Sequence, residues 1–109
     1  KLPNNGSEPD TVGASSEFQL TPQTAEIPKK AKDLLQTIRE RHGGPPPGYV
    51  GGRVFHNRER RLPQGRYREY DVNPKIRGRP RDAERIVIEQ ITGQAYYTAD
   101  HYRTFVPFR

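Results

Sequence analysis

Four side chains in the second half of this sequence can do acid–base and phosphate chemistry together: Glu69, Arg81, Arg85 and His101. A carboxylate can take up a proton and a protonated imidazole can give one back. Two guanidinium groups four positions apart, Arg81 and Arg85, can face one phosphate and hold the charge that builds on its oxygens. Brought to one surface, the set fits transesterification of RNA. Glu69 would take the proton of a ribose 2′-OH, which attacks the adjacent phosphorus, and His101 would protonate the departing 5′-oxygen. Each residue also has an ordinary reading: a cross-strand ion pair for Glu69, a solvated basic loop for the arginines, an exposed turn for His101.

Those groups need a scaffold. Ala95 to Phe105 reads as two short strands meeting at Asp100-His101, rich in the Tyr, Thr and Phe that suit a pleated surface. Alternation along 67–72 puts Tyr70 and Val72 on one face with Arg68, and Tyr67, Glu69 and Asp71 on the other. Along 84–91, Ile86 and Ile88 share a face opposed by Arg85, Val87 and Glu89. If a helix covers the apolar faces, Glu69 and Arg85 emerge together on the far side, unless a one-residue bulge reverses the alternation.

The helix is legible. Ile27, Ala31, Leu34, Leu35 and Ile38 follow helical spacing, which predicts a helix over 28–42. Pro28 suits the first helical position, Gly43-Gly44 the stop, and His42 a solvated C-terminal place. After the stiff Pro45-Pro46-Pro47-Gly48 connector the period becomes alternating, with strands predicted over 53–57, 67–72, 84–91, 95–99 and 102–107. One helix followed by consecutive short strands reads as α+β: an N-terminal amphipathic helix packed on a five-stranded antiparallel sheet.

The totals set limits. The chain has 109 residues, 30% of them apolar, with 11 Pro, 10 Gly and no Cys. That allows one modest core, part of the chain unfolded, and neither disulfides nor thiolate metal sites. No apolar run approaches a membrane span and no signal peptide is visible. The net charge of +6 is unevenly placed: residues 1–26 hold one Lys against four acids, Glu8, Asp10, Glu17 and Glu26. Residues 27–109 hold 18 Lys or Arg against 9 acids, which points to a polyanionic partner, nucleic acid first. The segment 1–26 is read as a polar, disordered leader or linker, with Phe18 and Leu20 as a short edge strand or docking segment, and 27–109 as the domain. The Lys at position 1 is read as the start of a processed product or fragment.

Several ordered blocks then carry a family likeness. Val54-Phe55-His56-Asn57-Arg58-Glu59, Leu62-Pro63, Tyr67-Arg68-Glu69-Tyr70-Asp71-Val72, Arg81 with Arg85-Ile86, and Tyr97 through Phe105 resemble the guanyl-preferring microbial ribonucleases, the group of barnase and the small Streptomyces enzymes. The resemblance runs from about Ile27 to the C-terminus and implies the microbial ribonuclease fold. By position it implies Glu69 as base, His101 as acid, Arg81 and Arg85 as phosphate-binding arginines, and Tyr102 on the phosphate. It implies a guanine loop over 55–59: Glu59 accepting from the base N1–H and N2 amine, and backbone N–H groups of Asn57 and Arg58 donating to O6. A backbone group at His56 assists, and Phe55 or His101 stacks on the base. His56 itself and the acidic leader depart from the pattern.

The expected activity is therefore endonucleolytic cleavage of single-stranded RNA after guanine, through a 2′,3′-cyclic phosphate that is then hydrolysed. DNA, lacking the 2′-OH, would bind uncut. No metal and no cofactor are expected. The expected setting is a secreted monomer, acting alone or as the C-terminal warhead of a bacterial toxin, with RNA as substrate, an acidic barstar-like protein as a further partner, and no membrane role. A basic RNA-binding module without turnover is the competing reading. It explains charge and aromatics but does not require Glu69 and His101 beside the arginines.

Overall fold

Helix α1 spans Lys29–Glu40 and buries Ala31, Leu34, Leu35 and Ile38, the stripe the spacing predicts. It belongs to a computed structural model that describes residues 27–109; the leader reading of 1–26, Phe18 and Leu20 included, lies outside the described residues. Each large apolar side chain of that stripe contributes about 1.5–3 kcal/mol on burial. Pro28 caps the helix and does not occupy its first turn: its backbone is extended (φ −69°, ψ 149°) and its carbonyl accepts from the N–H groups of Ala31 and Lys32. The helix also stops two residues earlier than its period alone predicts. His42 takes a left-handed φ of 56°, its N–H donates to Arg39 O (3.1 Å), and the Gly43 N–H donates to Ile38 O (2.8 Å). This closes the last turn with the paired bonds of a Schellman motif.

Five strands follow: β1 Gly51–Phe55, β2 Tyr67–Asp71, β3 Arg85–Glu89, β4 Ala95–Thr98 and β5 Val106–Phe108. They form one antiparallel sheet in chain order, each strand paired with its neighbours in the sequence. One face packs on α1, where Tyr70, Val72, Ile86, Ile88, Ala95, Tyr97 and Phe108 join the helix stripe and Ile27 in the larger core. The opposite face carries a smaller cluster of Leu62, Tyr67 and Val87, with Phe55, Tyr96, Tyr102 and Phe105 packed against it.

The expected face assignment holds because β2 and β3 pair without interruption, Glu69 opposite Val87 and Asp71 opposite Arg85. The register slips instead in β1, between Gly51 and Arg53. Gly52 there takes φ 84°, and a side chain at Gly51 would place its Cβ 2.5 Å from Tyr70 Cδ2, so both glycines are required. β1 begins at Gly51 and ends at Phe55, which leaves His56 and Asn57 in the loop and not in the strand predicted over 53–57.

The predicted strand over 102–107 is corrected more heavily. β4 stops at Thr98, β5 starts at Val106, and 99–105 is a turn, so the two strands do not meet at Asp100-His101. The Asp100 carboxylate wins that segment from the sheet. It accepts from Thr98 Oγ1 (2.8 Å), the N–H groups of Arg103 (3.2 Å) and Thr104 (2.9 Å), and Thr104 Oγ1 (2.7 Å). The Thr104 hydroxyl, then its backbone N–H, Thr98 and the Arg103 N–H, hold this carboxyl down at about 2 despite some burial.

Candidate active site

The far face of the sheet gathers the expected groups. Glu69 in β2 and His101 in the 99–105 turn line one cleft of about 380 Å³, together with Phe55, Asn57, Glu59 and Tyr102. Alternation aims Glu69 away from the helix, into this cleft. Its Oε1 accepts from the Tyr102 hydroxyl at 2.6 Å. Burial first, and the Glu69 carboxylate second, push the Tyr102 phenol well above its ordinary value, with Arg85 opposing. The phenol is therefore a fixed donor to the carboxylate.

His101 and Tyr102 both hold left-handed backbone, φ 56° and 74°, unusual for bulky residues and costly by about 1–3 kcal/mol each. Two bonds hold them there: Tyr102 N–H donates to Thr98 Oγ1 (3.0 Å), and His101 N–H donates to Ala83 O (3.0 Å). The His101 ring is exposed, with its centroid 4.8 Å from that of Tyr102.

Arg81 and Arg85 meet beside the cleft on Asp71, a residue that sequence reasoning put on the right face but gave no task. Arg81 donates to both Asp71 oxygens (2.7 and 2.6 Å), and Arg85 Nε lies 3.1 Å from Oδ1. The Asp71 carboxylate, as hydrogen-bond partner and then as charge, raises the Arg81 pKa, with Tyr102 and Glu69 adding to it. Arg85 is 3% exposed; its Nη1 donates to the carbonyls of Asp82 (2.7 Å) and Glu84 (2.8 Å). Its Nε–H is off the line to Asp71 and has no hydrogen-bond acceptor among the described residues. The two guanidinium groups share the Asp71 carboxylate, and the Asp82 carboxylate lies 3.7 Å from Arg85 Nη1. The spacing of Glu69 and Asp71 was the available signal for Asp71, but its partners follow only from the register with β3.

The segment after β1 folds around Asn57. Its side-chain amide donates to Leu62 O (2.9 Å) and its Oδ1 accepts from the Leu62 N–H (3.2 Å), while its backbone takes φ 52°. The asparagine thus closes the loop with its side chain, a task beyond the backbone donation expected of it. Glu59 projects from the loop and accepts from Arg61 Nε at 2.9 Å; Arg61 Nη1 donates to Arg103 O at 3.0 Å, which ties this loop to the 99–105 turn. Sequence reasoning missed that tie. Phe55 is stacked on Tyr102, centroids 4.9 Å apart, while His56 and Arg58 are exposed on the cleft rim.

A fold with this site defines a class. The chain belongs to the ribonuclease family, whose model matches residues 10–109. It is 46% identical over 83 residues to guanyl-specific ribonuclease Sa3 of Kitasatospora aureofaciens, covering 72% of this chain and 56% of that protein, so it spans little more than half of that relative. It is 38% identical over 96 residues to guanyl-specific ribonuclease St of Saccharopolyspora erythraea, covering 85% of this chain and 90% of that one. Among solved structures it is similar to ribonuclease Sa2 with guanosine-2'-cyclophosphate, at 34% identity and a TM-score of 0.59, covering 78% of this chain and 89% of that chain.

Proposed function

We infer that this chain is a guanyl-preferring endoribonuclease that cleaves single-stranded RNA by transesterification to a 2′,3′-cyclic phosphate, followed by hydrolysis. One observation carries the assignment: Glu69, His101 and the 55–59 loop line a single cleft beside the two-arginine clamp. Glu69, steadied by Tyr102, takes the 2′-OH proton, and the 2′-oxygen attacks phosphorus. The bond to the 5′-oxygen breaks as protonated His101 supplies the proton that oxygen needs. Arg81 and Arg85, gathered on Asp71, hold the charge that builds on the phosphoryl oxygens. With the roles exchanged, Glu69 protonates the departing 2′-oxygen while His101 activates water. Both proton transfers and the charge stabilisation come from side chains, so the reaction as written needs no metal.

Guanine specificity rests on the 55–59 loop. Glu59, now held by Arg61, accepts from the base N1–H and N2 amine, and backbone N–H groups of Asn57 and Arg58 face O6. Asn57 supports this by closing the loop. The overall charge of +6 also fits an acidic inhibitor protein. The deciding experiment digests a defined RNA in EDTA and sequences the ends. Cyclic phosphates after guanine are expected, with Glu69→Gln and His101→Ala each lowering the rate by at least roughly a hundredfold. Variants as fast as the parent would remove these two assignments.

A further inference from the structure

The loop between β2 and β3 carries three cations beyond the clamp, Lys75, Arg77 and Arg79, all exposed. Ion pairs among the described residues take up Lys29, Lys30, Arg61, Arg81 and Arg85, and none takes up these three. The loop is nevertheless held in shape. The Lys75 N–H donates to Gly48 O (2.8 Å) and the Arg79 N–H to Ile76 O (3.1 Å). Asn73 Nδ2 donates to Asp82 and Glu84, both at 2.8 Å. A fixed loop with uncompensated positive charge is a surface for an anion.

Its place in the fold says which anion. Strand β2 orders the parts of the site: Tyr67 pairs with Phe55 at the base-loop end, Glu69 lies midway, and Asp71 holds both arginines at the other end. At 3.3 Å per residue, Tyr67 to Asp71 spans about 13 Å, and the cationic loop begins just beyond. The base loop takes the nucleotide on the 5′ side of the cleaved bond, so a strand running on past the clamp runs in the 3′ direction. His101 agrees, because its N–H is bonded to Ala83 O at the far end of the same loop. The oxygen it protonates belongs to the 3′ nucleotide.

Resting on the ribonuclease reading above, we propose that Lys75, Arg77 and Arg79 form a subsite for RNA backbone phosphates on the 3′ side of the cleaved bond. Phosphate contacts of this kind add affinity without base preference. The chain accordingly favours substrates that continue past the cut over those that end there.

The test compares the parent with the K75Q/R77Q/R79Q triple variant on guanylyl-(3′,5′)-adenosine, on that dinucleotide extended 3′, and on it extended 5′. The triple variant should match the parent on the dinucleotide and the 5′-extended substrate, while KM for the 3′-extended one rises roughly tenfold at low salt. Binding of an uncleavable 2′-deoxy oligomer extended 3′ should lose about 0.7 of its log–log salt slope per cation removed, about 2 in all. Single variants R77Q and R79Q, each with a proportionate loss, guard against a folding defect in the triple. Equal losses on the dinucleotide, a loss on the 5′-extended arm or an unchanged slope would each overturn the subsite. If the parent leaves the dinucleotide whole, the ribonuclease reading fails, and the slope measurement still decides whether these cations hold phosphate.

Discussion

The Tyr102 hydroxyl donates to Oε1 of Glu69 across 2.6 Å, joining the turn that carries His101 to the strand that carries Glu69. A hydrogen bond to a charged group is worth about 1.5–3 kcal/mol. Tyr102→Phe keeps the ring stacked on Phe55 but removes that bond. We expect kcat/KM to fall roughly ten- to a hundredfold, with the melting temperature lowered by several degrees. Steady-state kinetics on a guanine-containing dinucleotide give the answer, and a rate equal to the parent's would show that the phenol does not orient Glu69.

Asp71 is the carboxylate on which Arg81 and Arg85 meet. Asp71→Asn removes the charge that pairs with Arg81 and Arg85 while both guanidinium groups stay put, one of them 3% exposed. Breaking such a buried pair from one side costs about 3–5 kcal/mol. Urea unfolding should show that loss, and the surviving fold should cleave RNA more slowly than the parent. A variant as stable as the parent would mean that the carboxylate is not what compensates Arg85.

Glu89 is, beside Asp100, a source of acid sensitivity in the fold. It accepts from the N–H groups of Thr92 (2.8 Å), Arg66 (2.9 Å) and Ile91 (3.1 Å) and from Thr92 Oγ1 (2.9 Å). The Thr92 N–H first, then the Arg66 N–H, hold its carboxyl at about 2, against a burial effect that pushes the other way. A carboxyl lowered on folding stabilises fully above its unfolded value, about 4.3. That contribution is lost as the pH falls from there towards about 2. Glu89→Gln should therefore be less stable than the parent at neutral pH, and the gap should close across that window. Urea midpoints measured as a function of pH test this; a gap constant with pH would exclude the linkage.

Base reading and bond breaking should separate. Glu59 lies in the loop after β1 and Glu69 in β2, so Glu59→Ala leaves the proton donors and acceptors in place. Cleavage after guanine should fall far more than the slow cleavage after other bases, by at least roughly a hundredfold in their ratio, as expected when a paired donor set loses its acceptor. End-sequencing of a digest provides the ratio. Equal losses at all four nucleotides would remove Glu59 from the recognition of the base.

Activity should pass through a maximum with pH. The proposed forward step needs Glu69 as carboxylate and His101 as imidazolium, so kcat/KM should rise on one limb and fall on the other. In Glu69→Gln the acid limb should disappear from whatever rate remains. A profile that is flat from acid to mildly alkaline solution would contradict the two-residue mechanism.

The helix and the faces of β2 and β3 were legible because burial imposes a period on side chains. Ala31, Leu34, Leu35 and Ile38 mark one helical face, and Ile86 and Ile88 mark one sheet face, so Glu69 and Arg85 had to lie on the other. Residues 102–105 were misread as strand because Tyr, Thr and Phe favour sheets locally. The four acceptances by Asp100 outweigh that preference, and they depend on side-chain geometry with no periodic signature. Asp71 and Arg61 escaped for a different reason. Asp71 acquires its meaning from a partner in another strand and Arg61 from a carbonyl in another loop, so neither role exists until register and loop closure are set.

Each strand of this sheet pairs only with its neighbours in the chain. Chain closure over short separations is cheap in entropy, and folds dominated by local pairing form quickly. The far-face surface that holds Glu69, the clamp and His101 is thus assembled from adjoining hairpins. A chain wired in this way is expected to regain that surface from the unfolded state by closing one short hairpin after another.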